Sequence, residues 1–241
     1  MQTITPYKTE ESKKEQVRFM FNNIAGTYDK LNRIISLGID QRWRRRAIEI
    51  LAKENPAAIL DVATGTADFA LAASSLQRVK IMGIDIAEDM LSIGREKVKA
   101  RGLEQRIELI CADSENLPFE SNKFDATIVS FGVRNFENLE KGLSEILRVI
   151  KPGGIMIVLE GSTPQHQPIK FFYRLYVTKL LPWVGRIISK DKSAYQYLPD
   201  SIKAFPCGAD FTAILDRVGF KKTYYEEQTF GVCTIYVGRK A

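Results

Sequence analysis

From Ala57 to Glu160 the chain alternates short apolar runs with amphipathic stretches, and this alternation restricts the fold more than any other feature. AAILDVA (57–63), VKIMGIDI (79–86), RIELICAD (106–113), FDATIVSF (124–131) and IMIVLE (155–160) have the length and apolar content of strands buried on both faces. Residues 68–76, 88–101 and 138–150 carry apolar positions at helical spacing between them. Asp85 to Asp89 supplies turn and helix-start signals, and Lys151-Pro152-Gly153-Gly154 a helix stop followed by a turn. Strand–helix–strand units of this spacing close with right-handed crossovers, so the reading is α/β: a doubly wound, Rossmann-like, mostly parallel sheet. Residues 219–238 read as two more strands joined by a tight connection, an antiparallel hairpin that brings the sheet to seven strands.

Two segments stand outside this scheme. Residues 10–22 and 42–53 read as amphipathic helices, and residues 165–203 interrupt the alternation before the hairpin. At 241 residues and 27.3 kDa the chain suits one domain, with 1–55 as an N-terminal helical lid and 165–203 as a helical insertion over the substrate. No run of 18 apolar residues lacks a charge, and the first residues lack the apolar core of a secretory signal. Cys111, Cys207 and Cys233 are far apart and odd in number, fitting neither a zinc site nor a disulfide framework. A cytoplasmic protein without metal is expected.

Charge is partitioned along the chain. Residues 56–164 carry 12 basic and 16 acidic side chains, whereas 1–55 carry 11 and 7, and 165–203 carry 7 and 2. An acidic centre is a poor platform for nucleic acid, which needs cations facing phosphates. The basic insertion is different. IKFFYRLYVTKLLPWVGRII (169–188) interleaves aromatics, aliphatics and Lys/Arg, which suits either a packed lid, a dimer contact or a peripheral contact with the inner face of the cytoplasmic membrane.

In such sheets ligands sit beyond the carboxyl ends of the strands, where strand order reverses. The loop after the first strand, Asp61-Val62-Ala63-Thr64-Gly65-Thr66-Ala67-Asp68, is too poor in glycine for a dinucleotide site, which presses backbone amides on a pyrophosphate. Its two carboxylates disfavour a pyrophosphate and favour a cation such as the sulfonium and ammonium of S-adenosyl-L-methionine. Asp85 ends the second strand, 24 residues after Asp61, where a carboxylate can accept both ribose hydroxyls. Asp113-Ser114 ends the third, placed to meet an adenine, and Ser130 ends the fourth, under a methionine moiety. With Gly65, Thr66 and Ile86 these form the candidate cofactor set.

The run Asp61–Asp68, Asp85, Asp113-Ser114 and the hairpin tail together resemble class I S-adenosylmethionine-dependent methyltransferases. Tyr28-Asp29-Lys30-Leu31-Asn32-Arg33-Ile34-Ile35-Ser36 running to Trp43, Ser130 to Asn135, and Arg148 to Ser162 are similar to signatures of the ubiquinone/menaquinone biosynthesis C-methyltransferases. The resemblance covers about residues 15 to 239. It departs at Leu31 (usually Met), at Ala67 (usually Gly) and at Asp40, where the family usually carries His.

The resemblance implies methyl transfer to a ring carbon of a prenylated quinol, a demethylmenaquinol in one branch and a prenylated methoxy-benzoquinol in the other. A ring carbon attacks in line once the neighbouring hydroxyl has lost its proton, so proximity, a proton acceptor and exclusion of water are required. The resemblance assigns Arg134 as the cation that stabilises the phenolate, Asn135 as its orienter and Tyr28 as a clamp. His166, the one histidine, reads as a loop residue without a role. A methyltransferase for another lipid or small molecule would keep the cofactor set but leave Tyr28–Trp43 without meaning; a nicotinamide oxidoreductase would need the missing glycines, and a nucleic-acid methyltransferase an Asn-Pro-Pro-Tyr or Pro-Cys stretch. A non-catalytic module would not need so complete a cofactor set.

Overall fold

The computed structural model describes residues 4–180 and 192–241. Two helices open the chain: α1, Lys13–Ile35, and α2, Asp40–Ala52. The Ser12 hydroxyl caps α1 by accepting the Glu15 backbone N–H. The helix runs 13 residues past the expected stop at 22, so the Tyr28–Ile35 run lies on its last turns.

The alternating region follows as β1 (Ala58–Val62), α3 (Asp68–Ala73), β2 (Lys80–Asp85), α4 (Glu88–Ala100), β3 (Ile107–Cys111), β4 (Phe124–Ser130), a 3₁₀ turn (Val133–Asn135), α5 (Leu139–Val149) and β5 (Ile150–Gly161). The chain then forms α6 (Ile169–Leu175), which continues as a π turn over Tyr176–Leu180. After α7 (Lys192–Ala204) and α8 (Ala209–Val218) come the antiparallel strands β6 (Lys221–Gln228) and β7 (Cys233–Arg239). The expected insertion is helical where described; Pro182 and the rest of 181–191 lie outside the described residues.

One seven-stranded sheet has the order β3-β2-β1-β4-β5-β7-β6, with β7 antiparallel to both neighbours and the other pairings parallel. Period-two alternation sends successive side chains to opposite layers. Ile155, Ile157 and Leu159 of β5 face a core shared with Leu51 of α2, Phe69 of α3 and Leu91 of α4. Met156 and Val158 face the opposite core, with Leu143 and Ile146 of α5 and Phe211 of α8. Both faces are covered, which is why the strands read as unbroken apolar runs.

One expectation shifts. The Lys151–Gly154 run is the start of β5, not a turn before it: Phe124 pairs with Ile150 and Ala126 with Ile155, so the extra residues form an irregularity at the strand's edge. The hairpin connection is a 3₁₀ turn, Thr229–Gly231, with Thr229 and Phe230 both at positive φ. Strand order reverses between β1 and β4, and the candidate residues cluster at the carboxyl ends there.

Candidate functional site

The loop leaving β1 alternates left-handed backbone at Ala63 (φ 53°), Gly65 (φ 56°) and Ala67 (φ 65°). The alanines hold a conformation that usually falls to glycine and costs an L-residue about 1–2 kcal/mol. The surroundings enforce it. Thr64 N–H donates to the Ile84 carbonyl (2.8 Å), and Gly65 N–H donates to Asp85 Oδ2 (2.8 Å). The loop is thus bolted to the end of β2.

A cleft of about 640 Å³, including its open mouth, lies over this loop. Gly65, Asp85, Ile86, Asp113, Ser114 and Ser130 line it, as the sequence leads one to expect, together with Tyr28 and Asn135. The other Asp85 oxygen accepts the Ala87 N–H (2.9 Å), and burial pushes its carboxyl pKa up. Each oxygen keeps a second lone pair for a ligand hydroxyl. Asp113 Oδ1 accepts the Glu115 N–H (2.9 Å) and Oδ2 meets Lys14 Nζ at 2.7 Å, so α1 is tied to the end of β3.

Two residues of the expected set stand behind the cleft. Asp61 is wholly buried beneath the loop, where Oδ2 accepts the Thr64 hydroxyl (2.6 Å) and the Ala70 N–H (3.0 Å). Burial raises its pKa to about 7 against those hydrogen bonds, and its second oxygen has no partner. Thr66 donates to Asp29 Oδ1 (2.5 Å) and receives Lys97 Nζ (3.1 Å). Lys97 also pairs with Asp29 (2.9 Å) and Asp68, which locks α1, α4 and the loop together.

The fit of an adenosyl sulfonium rests on features of the cleft itself. Ser130 Oγ is buried at its wall with no partner, a polar atom awaiting a ligand group. The Asp85 carboxylate borders it, and among the described residues no Lys or Arg other than Lys14, held by Asp113 and Glu115, lines it. A cationic ligand with a ribose suits this arrangement.

A second cavity, about 1200 Å³, adjoins the first and was not foreseen in extent. Its walls are mostly apolar and come from α1, α2, α6 and α7, with Met20, Leu31, Trp43 and Leu198 among them. Phe21, Tyr28 and Phe131 line both cavities and so form their common wall. Trp43 packs edge-on to Phe131 (6.3 Å between centroids) and donates Nε1–H to Thr229 Oγ1 (2.8 Å). Burial raises the Tyr28 pKa, while Arg134 and Arg44 pull the other way.

Arg134 lines the second cavity, not the first. Its Nη1 donates to Glu160 Oε1 (2.7 Å) and to the Phe131 carbonyl (2.5 Å), and its buried Nε has no partner among the described residues. Glu160 is fully buried and is the guanidinium's orienter. Asn135 shares the Phe131 carbonyl through Nδ2 (3.3 Å), and its Oδ1 accepts the Tyr197 hydroxyl (3.0 Å). His166 is exposed and lines neither cavity. Sequence reasoning missed Glu160 as a partner, Lys14, and the buried Asp40–Arg44 pair of α2. The i,i+4 spacing of that pair was a legible signal.

The sheet order and the helices on both faces are those of the Rossmann-like methyltransferase fold. The ubiE/COQ5 methyltransferase family matches residues 9–240, and the chain belongs to that family. It is 49% identical to the demethylmenaquinone methyltransferase of Bacteroides fragilis, over 98% of this chain and 97% of that one. It is 44% identical to the ubiquinone/menaquinone biosynthesis C-methyltransferase UbiE of Geobacter sulfurreducens, over 98% and 93%. A SAM-dependent methyltransferase of Thermotoga maritima, a possible histamine N-methyltransferase, superposes with a TM-score of 0.67 at 17% identity, over 92% of this chain and 99% of that one, which shows the shared fold.

Proposed function

We propose that this enzyme transfers a methyl group from S-adenosyl-L-methionine to a ring carbon of demethylmenaquinol, giving menaquinol. The observation that carries this reading is the common wall of Phe21, Tyr28 and Phe131 between a smaller cleft bordered by the Asp85 and Asp113 carboxylates and a large apolar cavity. A donor in the first and a prenylated ring in the second would meet across it. The name of the Bacteroides fragilis relative, at 49% identity, favours the naphthoquinol branch over the benzoquinol one.

In this reading Asp85, Asp113, Ser114 and Ser130 hold the donor, with Gly65, Thr66, Ile86 and Asp61 shaping the loop around it. When bound, the donor supplies an electrophilic methyl on a sulfonium. The rest is done by the chain. Arg134 is a fixed cation: burial opposes its charge, but the Glu160 carboxylate raises its pKa overall. Its unpartnered Nε–H is the donor for a phenolate oxygen, whose electron density then moves to the ortho carbon. Tyr28 closes on the ring from the shared wall, and Asn135 fixes the Phe131 carbonyl on which Arg134 rests. Helix α1 and helices α6 and α7 serve as the lid that keeps water out.

The prenyl tail must be collected from a bilayer. Phe171, Phe172 and Leu175 are exposed on α6 beside Lys170 and Arg174, and Leu37 and Phe230 are exposed as well. Among the described residues no helix is long and apolar enough to cross a membrane. Peripheral binding to an anionic surface through these groups suits both facts.

The test is direct. Purified protein is supplied with S-adenosyl-L-methionine and chemically reduced demethylmenaquinol, and the extracted quinones are read by mass spectrometry. A product heavier by one methylene on the naphthoquinone ring is expected. Methylation of a benzoquinol instead would overturn the branch, and methylation of neither the substrate class.

A further inference from the structure

A quinol hydroxyl must lose a proton before its ortho carbon can attack, and Arg134 cannot take it, since a guanidinium stays charged. We propose that Asp40, buried in the wall of the large cavity, is the proton acceptor of the reaction. This rests on the quinol reading above.

Among the described residues that line this cavity Asp40 is the one carboxylate, and no histidine or lysine borders it. It is the first residue of α2 and only 4% exposed. Oδ1 accepts the Ser36 hydroxyl at 2.7 Å, and Oδ2 accepts from Arg44 Nη1. Ser36 and Arg44 line the same cavity. Each carboxylate oxygen retains a lone pair, so both partners hold Asp40 in place without using up its capacity to accept.

Arg44 carries this group to the reacting wall. Its guanidinium carbon lies 5.8 Å from the Phe131 ring centre, its charge reaches the Tyr28 hydroxyl, and its buried Nε has no partner. A ring standing against Phe131 and Tyr28 would thus share one cavity with Arg44, Asp40 and Arg134. The other groups are unsuited. Glu160 does not line this cavity, and it accepts from the Arg134 side chain, the Arg134 N–H and the Gly161 N–H (2.9 Å). Tyr173 and Tyr197 are pushed up to about 12 by burial and keep their protons.

The step balances. The hydroxyl proton passes to Asp40, and the oxygen's electron pair moves into the ring. The ortho carbon forms a bond to the methyl group as the carbon–sulfur bond breaks, leaving a neutral thioether. That ring carbon then gives up its own hydrogen to water, the ring regains aromaticity, and Asp40 returns its proton to the oxygen. One proton is released for each sulfonium consumed.

Among the described residues, the charged and titratable groups lining the two cavities that Asp40 borders are Arg44 and Arg45 on its own helix, Arg33 and Tyr28 from α1, Asp68 from α3, Arg101 after α4, Arg134 after β4, Tyr173 and Tyr176 from α6 and its π turn, and Tyr197 from α7. The experiment compares wild type, Asp40→Asn and Asp40→His with demethylmenaquinol, alongside calorimetric binding of S-adenosylhomocysteine. Asp40→Asn should lose at least about a hundred-fold in kcat, the low end of what general base catalysis supplies, with homocysteine-adduct affinity within two-fold or so of wild type. Asp40→His should recover much of that loss, with kcat gaining a rise with pH through about 6.5, the ordinary imidazole range. Full kcat in a folded Asp40→Asn overturns the proposal. If Asp40→Asn no longer binds the adduct, the histidine variant decides: recovery without a new pH dependence overturns it too. Wild type inactive on any quinol refutes instead the reading on which it stands.

Discussion

The Arg134 guanidinium meets the fully buried Glu160 carboxylate at 2.7 Å, across 26 residues of sequence and at the floor of an apolar cavity. Such a pair gains little net stability, but removing one partner leaves the other charge buried and unmatched. Glu160→Gln is therefore expected to destabilise the fold by about 3–5 kcal/mol, seen as a lowered urea midpoint. Arg134→Ala should lower turnover by about two orders of magnitude or more while S-adenosylhomocysteine binding stays close to wild type. An active Arg134→Ala would remove it from the reaction.

Gly132 packs against the cofactor loop so closely that a Cβ there would sit 2.6 Å from the Ala63 Cβ. Neither atom has anywhere to rotate. Gly132→Ala should push the loop from its left-handed path and weaken S-adenosylhomocysteine binding by about ten-fold or more, measured by calorimetry, with a stability loss of about 1–3 kcal/mol.

Burial raises Asp61 to about 7, so the folded protein holds this proton where the unfolded chain has already released it. Between the ordinary aspartate range and about pH 7 the native state binds more protons, and stability falls as pH rises. Asp61→Asn removes that dependence. It should be more stable than wild type by about 1–3 kcal/mol at pH 8, with the gap closing toward pH 4, in urea titrations at each pH. A gap that widens on acidification would contradict the assignment.

Lys14 bridges α1 to Asp113 (2.7 Å) and Glu115 (3.5 Å) at the rim of the donor cleft, and it is part-exposed. The pair with Asp113 is part-exposed and contributes at most about 1 kcal/mol, and the buried Glu115 keeps the Glu137 and Asn138 N–H donors, so Lys14→Ala should barely move the melting temperature. It should still speed S-adenosylhomocysteine release several-fold in stopped-flow traces, because α1 loses its tether over the ligand.

Phe171 and Phe172 pack edge-to-face, 5.6 Å between centroids, yet both are exposed. Replacing both with Ser should reduce sedimentation with anionic vesicles and raise KM for long-tailed quinol, leaving kcat with a short-tailed analogue unchanged. Equal binding by both proteins to neutral and anionic vesicles would exclude this face as the contact.

The strands were legible because the sheet is covered on both sides, so Ile59–Val62 or Ile155–Leu159 read as apolar runs whichever face each residue takes. The last turns of α1 were not, since of residues 23–35 only Ala25 and Leu31 are buried, and that is too sparse a stripe to mark a helix. Helix α8 escaped notice beside the hairpin. Asp85, Ser114 and Ser130 could be placed because strand ends fix their positions in this topology. The partnerships could not: Arg134–Glu160 and Lys14–Asp113 join residues 26 and 99 positions apart, and only packing reveals them.

Phe21 and Tyr28 of a single helix, α1, stand on the wall between the two cavities. Lifting that helix would disturb both compartments at once. With a nucleoside and an isoprenoid seated as proposed, their binding would be mechanically coupled, and an alkylating centre would be shielded from hydrolysis only while the partition stands, so that productive turnover would be a property of the fully loaded enzyme.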